Sequence, residues 1–243
     1  MVMLRSNKYE EYNKNSSLQK RVISENNFVY KNHLSYLSGI RDKKVLDVGC
    51  GTGTISFFLA TKNNDVTGVD ISKRAIKIAC KNAKHLGLEN KVKFKVCDYP
   101  NGKIADSFDL ILLNDVLEHI PCQSKALKTT IGLLKENGII FLSVPLKEAP
   151  LYRLGLLKKF DKKVGHVRRY SVEEFTNLIV GYGLTIEKIE LREGILKNSL
   201  FTNRVLNKLV RFIRGPLTEM VYILDNVLVK LFGPSQLLMV AKK

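Results

Sequence analysis

Residues 45–53 read VLDVGCGTG. Three glycines directly after an apolar run let the backbone come close to a ligand, because side chains there would block the approach. The spacing excludes a dinucleotide loop. Such a loop needs G-x-G-x-x-G, its third glycine allowing helix to pack on strand, but counting from Gly49 puts Thr54 in that place and counting from Gly51 puts Ser56 there. What stands instead is D-x-G-x-G-x-G, with Asp47 just before the turn, where a pyrophosphate would meet an anion. The turn suits a ligand with a cationic group and no phosphate. A second group of chemistry-bearing residues lies in NDVLEHI, 114–120. Asp115, Glu118 and His119 are spaced i, i+3, i+4, so one helical turn would aim all three the same way. His166, in GHVRRYS at 165–171, could reach the same mouth. Two carboxylates and two imidazoles form a mixed oxygen and nitrogen set that suits magnesium, manganese, iron or zinc, any of which could lower the pKa of an acceptor hydroxyl. Without a metal, His119 or His166 could serve as general base. A purely structural reading has Glu118 and His119 cap the helix start and hold the following insertion through Arg168 or Arg169.

The elements that must position these residues alternate along the chain. The order is KVLDVG, a helix over 53–62, DVTGVD, a helix over 72–86 capped by Ser72 and closed by Gly87, and KVKFKVCD. Then come FDLILLND, a helix around 122–136 closed near Gly138, and GIIFLSVP. Five apolar runs separated by helices predict a parallel sheet with helices on both faces. Ligands of such sheets sit at the carboxyl ends of the strands, where Asp47, Asp70, Asp98 and Asn114 all fall. Ahead of the sheet, residues 1–40 form an N-terminal cap whose helical rhythm runs through Phe28, Val29, Leu34 and Leu37. After Pro145 come a basic insertion at 147–170, a helix capped by Ser171, a sixth strand in LTIEKIELRE, a helical insertion at 195–235 and a seventh strand in QLLMVAKK. We read 1–243 as one domain with its cofactor-binding core at 41–146.

The run Asp47 to Gly53 resembles the first motif of the S-adenosylmethionine-dependent methyltransferases of the Rossmann-like class, and the resemblance covers residues 41–194 and 236–243. It implies an α/β fold with a seven-stranded, mostly parallel sheet whose last strand is antiparallel, helices on both faces and a helical insertion before that strand. It also implies S-adenosylmethionine as cofactor. The contacts it implies are Asp47 and the loop residues Gly49, Cys50, Gly51 and Gly53, with Asp70 on the ribose hydroxyls, Ile71 on the adenine face and Asp98 accepting from the adenine amine. Tyr99 would offer backbone N–H to the ring, and Asn114 would hold the methionyl amino group. VLEH at 116–119, with His166 followed by basic and tyrosine positions, is similar to the small-molecule branch that includes the ubiquinone-biosynthesis O-methyltransferases. That branch implies O-methylation of a small-molecule or lipid-like acceptor. Some enzymes of similar layout carry a metal between such residues, with glutamate where Asp115 stands here. Two other functions compete. RNA methylation fits the charge, but no N/D-P-P-Y/F motif follows the fourth strand, so a nucleic-acid partner is disfavoured. A regulatory subunit that binds cofactor without chemistry conflicts with intact acids at every strand end.

Composition sets the outer bounds. The chain has 243 residues, 45% apolar and 26% charged, as expected of a single soluble domain. Its four cysteines form no C-x-x-C pair, and neither a signal core nor an apolar run of membrane-spanning length occurs, so reduced thiols and a cytoplasmic setting are expected. The formal charge of +17 invites acidic partners, or reflects lysine-rich coding bias. One stretch gives the charge a use. In RVLNKLVRFIR, 204–214, Val205, Leu206, Leu209, Val210, Phe212 and Ile213 would share one helical face, with Arg204, Asn207, Lys208, Arg211 and Arg214 on the other. That pattern predicts peripheral contact with an anionic membrane. The following LTEMVYILDNVLVKLF is apolar round most of its circumference, which predicts burial against the body or against a partner in a homodimer.

Overall fold

The computed structural model describes residues 8–11, 13, 18–203 and 205–243. Seven strands form one sheet: β1 Lys44–Val48, β2 Asp65–Asp70, β3 Val92–Val96, β4 Phe108–Asn114, β5 Leu134–Pro145, β6 Thr185–Arg192 and β7 Gln236–Lys242. Their spatial order is β3-β2-β1-β4-β5-β7-β6. The first five pair in parallel, and β7 runs antiparallel between β5 and β6. The expected sheet, with its antiparallel last strand, is therefore the observed one.

Central strands buried on both faces explain the near-continuous apolar runs. Along β4, Ile111 and Leu113 enter one core with Leu46, Leu142 and Met239, while Leu110 and Leu112 enter the other with Val45, Phe141 and Leu238. The second core is covered by helices α1 (Lys31–Leu37) and α2 (Thr54–Ala60) through Leu34, Leu37, Phe57 and Phe58, with Ala83 from α3 (Lys73–His85). Helix α4 (Gln123–Leu133) covers the first core through Ala126 and Leu127. Short helices α5 (Pro150–Arg153) and α6 (Lys158–Val164) make up the basic insertion, and α7 (Val172–Gly181) returns to the first core with Phe175 and Ile179. Helices α8 (Ile195–Thr202) and α9 (Pro216–Phe232) form the insertion between β6 and β7. Ser72 caps α3 by accepting from Ala75 N, and Ser171 and Glu174 close a reciprocal capping box on α7.

Four expectations need correction. The helix expected to reach 136 ends at Leu133, because buried Leu134 already pairs with Phe108 and starts β5. Val29 does not share the inward face of Phe28, Leu34 and Leu37; it is exposed, on a turn preceding α1. Residues 206–212 form a 3-10 helix rather than an amphipathic α-helix. That tighter winding splits the expected apolar face. Leu206, Val210 and Ile213 pack inward with Phe28 and Leu200, while Val205, Leu209 and Phe212 point out; Arg204 lies outside the described residues. Last, of the two places expected to cover α9 the body is not one: its apolar side faces away from the rest of the chain.

The capping box gives a direct test of α7. Ser171→Ala should lower stability by about 0.5–2 kcal/mol, read as a lower urea midpoint at unchanged slope.

Candidate active site

The glycine turn follows β1 at the centre of the carboxyl edge. Gly49 N and Cys50 N donate to Val69 O at 2.8 and 3.1 Å, which ties the turn to β2. Gly49, Gly51 and Gly53 have φ of 71°, 54° and 91°, a left-handed run that a side chain would strain. At Gly53 a Cβ would also meet Phe57 and Phe94 at 2.7–2.8 Å, whereas at Gly51 it would meet nothing within 4 Å. The turn is thus packed beneath Gly53 and open at Gly51. Asp47 lies under it, 3% exposed, accepting from the Ser56 hydroxyl at 2.6 Å. Burial pushes its carboxyl up to about 7.

Asp70 ends β2 beside the turn. It accepts from Gly51 N at 2.9 Å and Ser72 N at 2.8 Å, and burial raises its pKa above the usual carboxylate value. Ile71 follows it, half-buried. Asp98 comes just after β3 and accepts from Asn101 Nδ2 at 2.8 Å. The Tyr99 ring turns away from this edge, its hydroxyl donating to Ala126 O at 3.1 Å in the core. Asn114 ends β4, and its amide nitrogen and oxygen are both buried without a hydrogen-bond partner. A buried amide left so costs a few kcal/mol unless something fills the place.

Past β4 the chain turns through Asp115, at φ 51°, into a single 3-10 turn at Leu117–His119. Of the four residues read as metal or acid–base candidates, three converge. His119 Nε2 and His166 Nε2 lie 4.0 and 3.9 Å from Glu118 Oε1. Glu118 is fully buried and neither carboxylate oxygen accepts a hydrogen bond. Burial, with Asp115 nearby, drives its pKa well above the ordinary glutamate value. The Nδ1 sides of both rings are engaged: His119 with Gly165 O at 3.2 Å and His166 with Asp161 Oδ1 at 2.9 Å. Burial alone would raise the Asp161 pKa, but His166 and Arg169 hold it down to about 2. The fourth candidate, Asp115, does not join them. Its carboxylate accepts from Ser143 Oγ and Gln236 Nε2, each at 3.0 Å. The arginines do not hold Glu118 either. Arg168 donates to the carbonyls of Leu117, Ile120 and Pro121, and Arg169 to Asp161. Val167 N reaches Glu118 O at 2.9 Å, so the insertion is latched to the turn through backbone.

Several residues at this edge carried no signal in the sequence. Ser143, Gln236 and His33 link the ends of β4, β5 and β7 to α1, with His33 Nε2 3.3 Å from Ser143 Oγ and its pKa lowered to about 4 by burial. Asp161 could have been suspected only as an acid five residues before a histidine. The N-terminal segment also reaches the site: the Tyr9 ring stands edge-on to His119 at 5.8 Å, and Glu10 accepts from Arg74 N at the start of α3.

A glycine turn, acids at successive strand ends and a closing antiparallel strand define a Rossmann-like methyltransferase fold, and the comparisons agree. A methyltransferase domain family matches residues 41–203. The chain belongs to that family, and S-adenosylmethionine is its cofactor. Among its relatives is the ubiquinone biosynthesis O-methyltransferase of Pasteurella multocida (strain Pm70), 35% identical over 123 residues, 45% of this chain and 51% of that protein. The protein of the same name from Histophilus somni (strain 2336) is 34% identical over 117 residues, 44% and 46% of the two chains. The chain spans about half the length of the curated relatives it matches. A solved S-adenosylmethionine-dependent methyltransferase from Methanosarcina mazei superposes with a TM-score of 0.59 at 22% identity, over 84% of this chain and 93% of that one. A putative sarcosine dimethylglycine methyltransferase from Galdieria sulphuraria gives 0.66 at 14% identity over 98% of each. At such identities the structures show a shared fold.

Two measurements probe the cradle. Asp70→Ala should weaken S-adenosylmethionine binding by a few kcal/mol, since charge-assisted bonds are worth about 1.5–3 kcal/mol each; unchanged calorimetric affinity would leave Asp70 as a holder of the loop and nothing more. Asp47 gives a pH signature. Its folded pKa is raised from 3.8 to about 7, so the stability it permits is complete below 3.8 and is lost as pH rises to about 7. Urea titrations across that window should show a shallower loss for Asp47→Asn than for the wild type.

Proposed function

We propose that the chain transfers the S-adenosylmethionine methyl group to a hydroxyl oxygen of a small-molecule or lipid-like acceptor, with His166 as general base. One observation carries this reading: two imidazoles, each fixed through Nδ1, turn their Nε2 atoms toward one buried carboxylate at the edge that holds the glycine turn. The bound sulfonium supplies an electrophilic methyl, which leaves orientation and removal of a hydroxyl proton to the chain. Asp161, ionised, can only accept, so His166 Nδ1 carries the proton and Nε2 the lone pair. Gly165 O sets His119 in the same tautomer for the same reason. The names of the matched relatives support oxygen as the acceptor atom.

A second arrangement at the same place is favoured by the ligand atoms themselves. Those of Glu118, His119 and His166 lie within 4.8 Å of one another, and histidines held through Nδ1 by a carbonyl or carboxylate have the support that metal-binding imidazoles have. These three residues fit a divalent cation, which would supply Lewis acidity at the acceptor hydroxyl.

Transfer of labelled methyl to a cell extract divided into lipid, RNA and protein fractions tests the acceptor, and label in RNA or protein would overturn it. His166→Ala should lower turnover about a hundredfold or more while S-adenosylmethionine still binds. A chelator separates the two arrangements: turnover that survives it leaves His166 as base, and turnover lost to it and restored by added divalent ion assigns the three ligands.

A further inference from the structure

Helix α9 is built inside out. Its inward arc carries polar groups: Thr218 is 1% and Asp225 4% exposed, whereas Met220 is 66% and Leu231 69% exposed. The polar arc is keyed to the body. Asp225 accepts from Gly194 N at 2.8 Å and Lys197 N at 2.9 Å, capping the start of α8. Glu219 pairs with Lys31, whose ammonium also sits 4.9 Å from the centre of the Tyr222 ring. These bonds fix which way the helix faces. Outward go Leu217, Met220, Leu224, Val227 and Leu231, spaced i, i+3, i+7, i+10, i+14 on one stripe, with Ile223 beside it, and all are exposed. Soluble monomers seldom leave so long an apolar stripe open.

We infer that this stripe docks on an anionic lipid bilayer. Charge selects the occupant. Between 195 and 232 the only acids are Glu219 and Asp225; Asp225 is buried on its backbone donors, and Glu219, half exposed, is neutralised by its pairing with Lys31. Exposed Lys208, Arg214 and Lys230 carry positive charge along the same insertion, Lys230 on the border of the stripe. An apolar face with a basic rim and no free acid meets both parts of an anionic membrane surface, acyl chains and headgroups. A second copy would oppose basic rim to basic rim across a two-fold, in a chain whose net charge is already +17. The helix lies on the surface, since no helix among the described residues is long and apolar enough to cross a membrane.

Topology adds a consequence. The insertion leaves β6 after Arg192 and re-enters β7 at Gln236, which pair with each other and, through Gln236, with Pro145 at the carboxyl end of β5. Gln236 then donates to Asp115. The docked segment therefore springs from the edge that holds the candidate site, which brings that edge to the lipid side. This last point rests on the methyltransferase reading; docking itself does not.

The test is flotation of the full chain with vesicles of phosphatidylcholine, or of phosphatidylcholine with about a third phosphatidylglycerol, at low and high salt. The chain should float with the anionic vesicles and less with neutral ones. The double variant Ile223→Asp, Val227→Asp should partition at least about tenfold less, with thermal unfolding unchanged because both side chains point out. A readout on the unmodified chain removes dependence on that variant folding: peroxide should oxidise Met220 in solution, and anionic vesicles should shield it. Failure to float with anionic vesicles at low salt, equal flotation with neutral ones, or Met220 oxidised equally with and without vesicles overturns the proposal. So does a dimer in sedimentation velocity that the double variant dissociates while the wild type ignores vesicles. None of these outcomes depends on methyl transfer, so each stands apart from the fate of the acceptor assignment.

Discussion

Parallel pairing of β1 between β2 and β4 is the constraint on which the site depends. It brings the carboxyl ends of these strands to one edge, in register from Val48 opposite Val69 and Leu113. The chain must reverse there, and the left-handed turn through Gly49 and Gly51 does so while donating two backbone bonds to Val69 O. Asp70 then bridges the turn to the start of α3 by accepting from Gly51 N and Ser72 N. One carboxylate holds turn and helix together.

The same edge concentrates polar groups that folding alone does not satisfy. The Asn114 amide and the Glu118 carboxyl are buried without hydrogen bonds. Each costs the fold stability. Groups of this kind need a reason to persist, and both lie at or just past the carboxyl end of β4, the edge of the candidate site. The insertion that carries His166 is held separately, by Arg168 on three carbonyls and by the Asp161–Arg169 pair, so the imidazole is placed without a hydrogen bond to the Glu118 carboxyl.

The helical insertion shows how local pattern and tertiary position can disagree. A uniformly apolar helix is read as buried, and α9 would be if its partner were the core. Asp225 and Glu219, two acids in seventeen residues, instead fix its polar side to the body. Capping bonds to the start of α8 outrank apolar burial because an acid left in a low-dielectric contact without partners costs more than an exposed leucine.

The amino-acid sequence made legible the order of elements and the glycine turn. Apolar runs of strand length separated by helical periods point to a parallel sheet, and D-x-G-x-G-x-G to a glycine turn without dinucleotide spacing, because both signals are local and depend on period or on glycine's conformational freedom. It also placed Glu118, His119 and His166 in one candidate group, two of them by helical spacing. The three-dimensional fold was needed to show that Asp115 leaves that group for Ser143 and Gln236, which come from strands 28 and 121 residues away in the chain. It alone placed Asp161 behind His166, tightened 206–212 into a 3-10 helix and turned the apolar side of α9 outward. In each case the deciding partner is distant in sequence, and a periodic pattern records how a segment can be amphipathic but not which face its neighbours will claim.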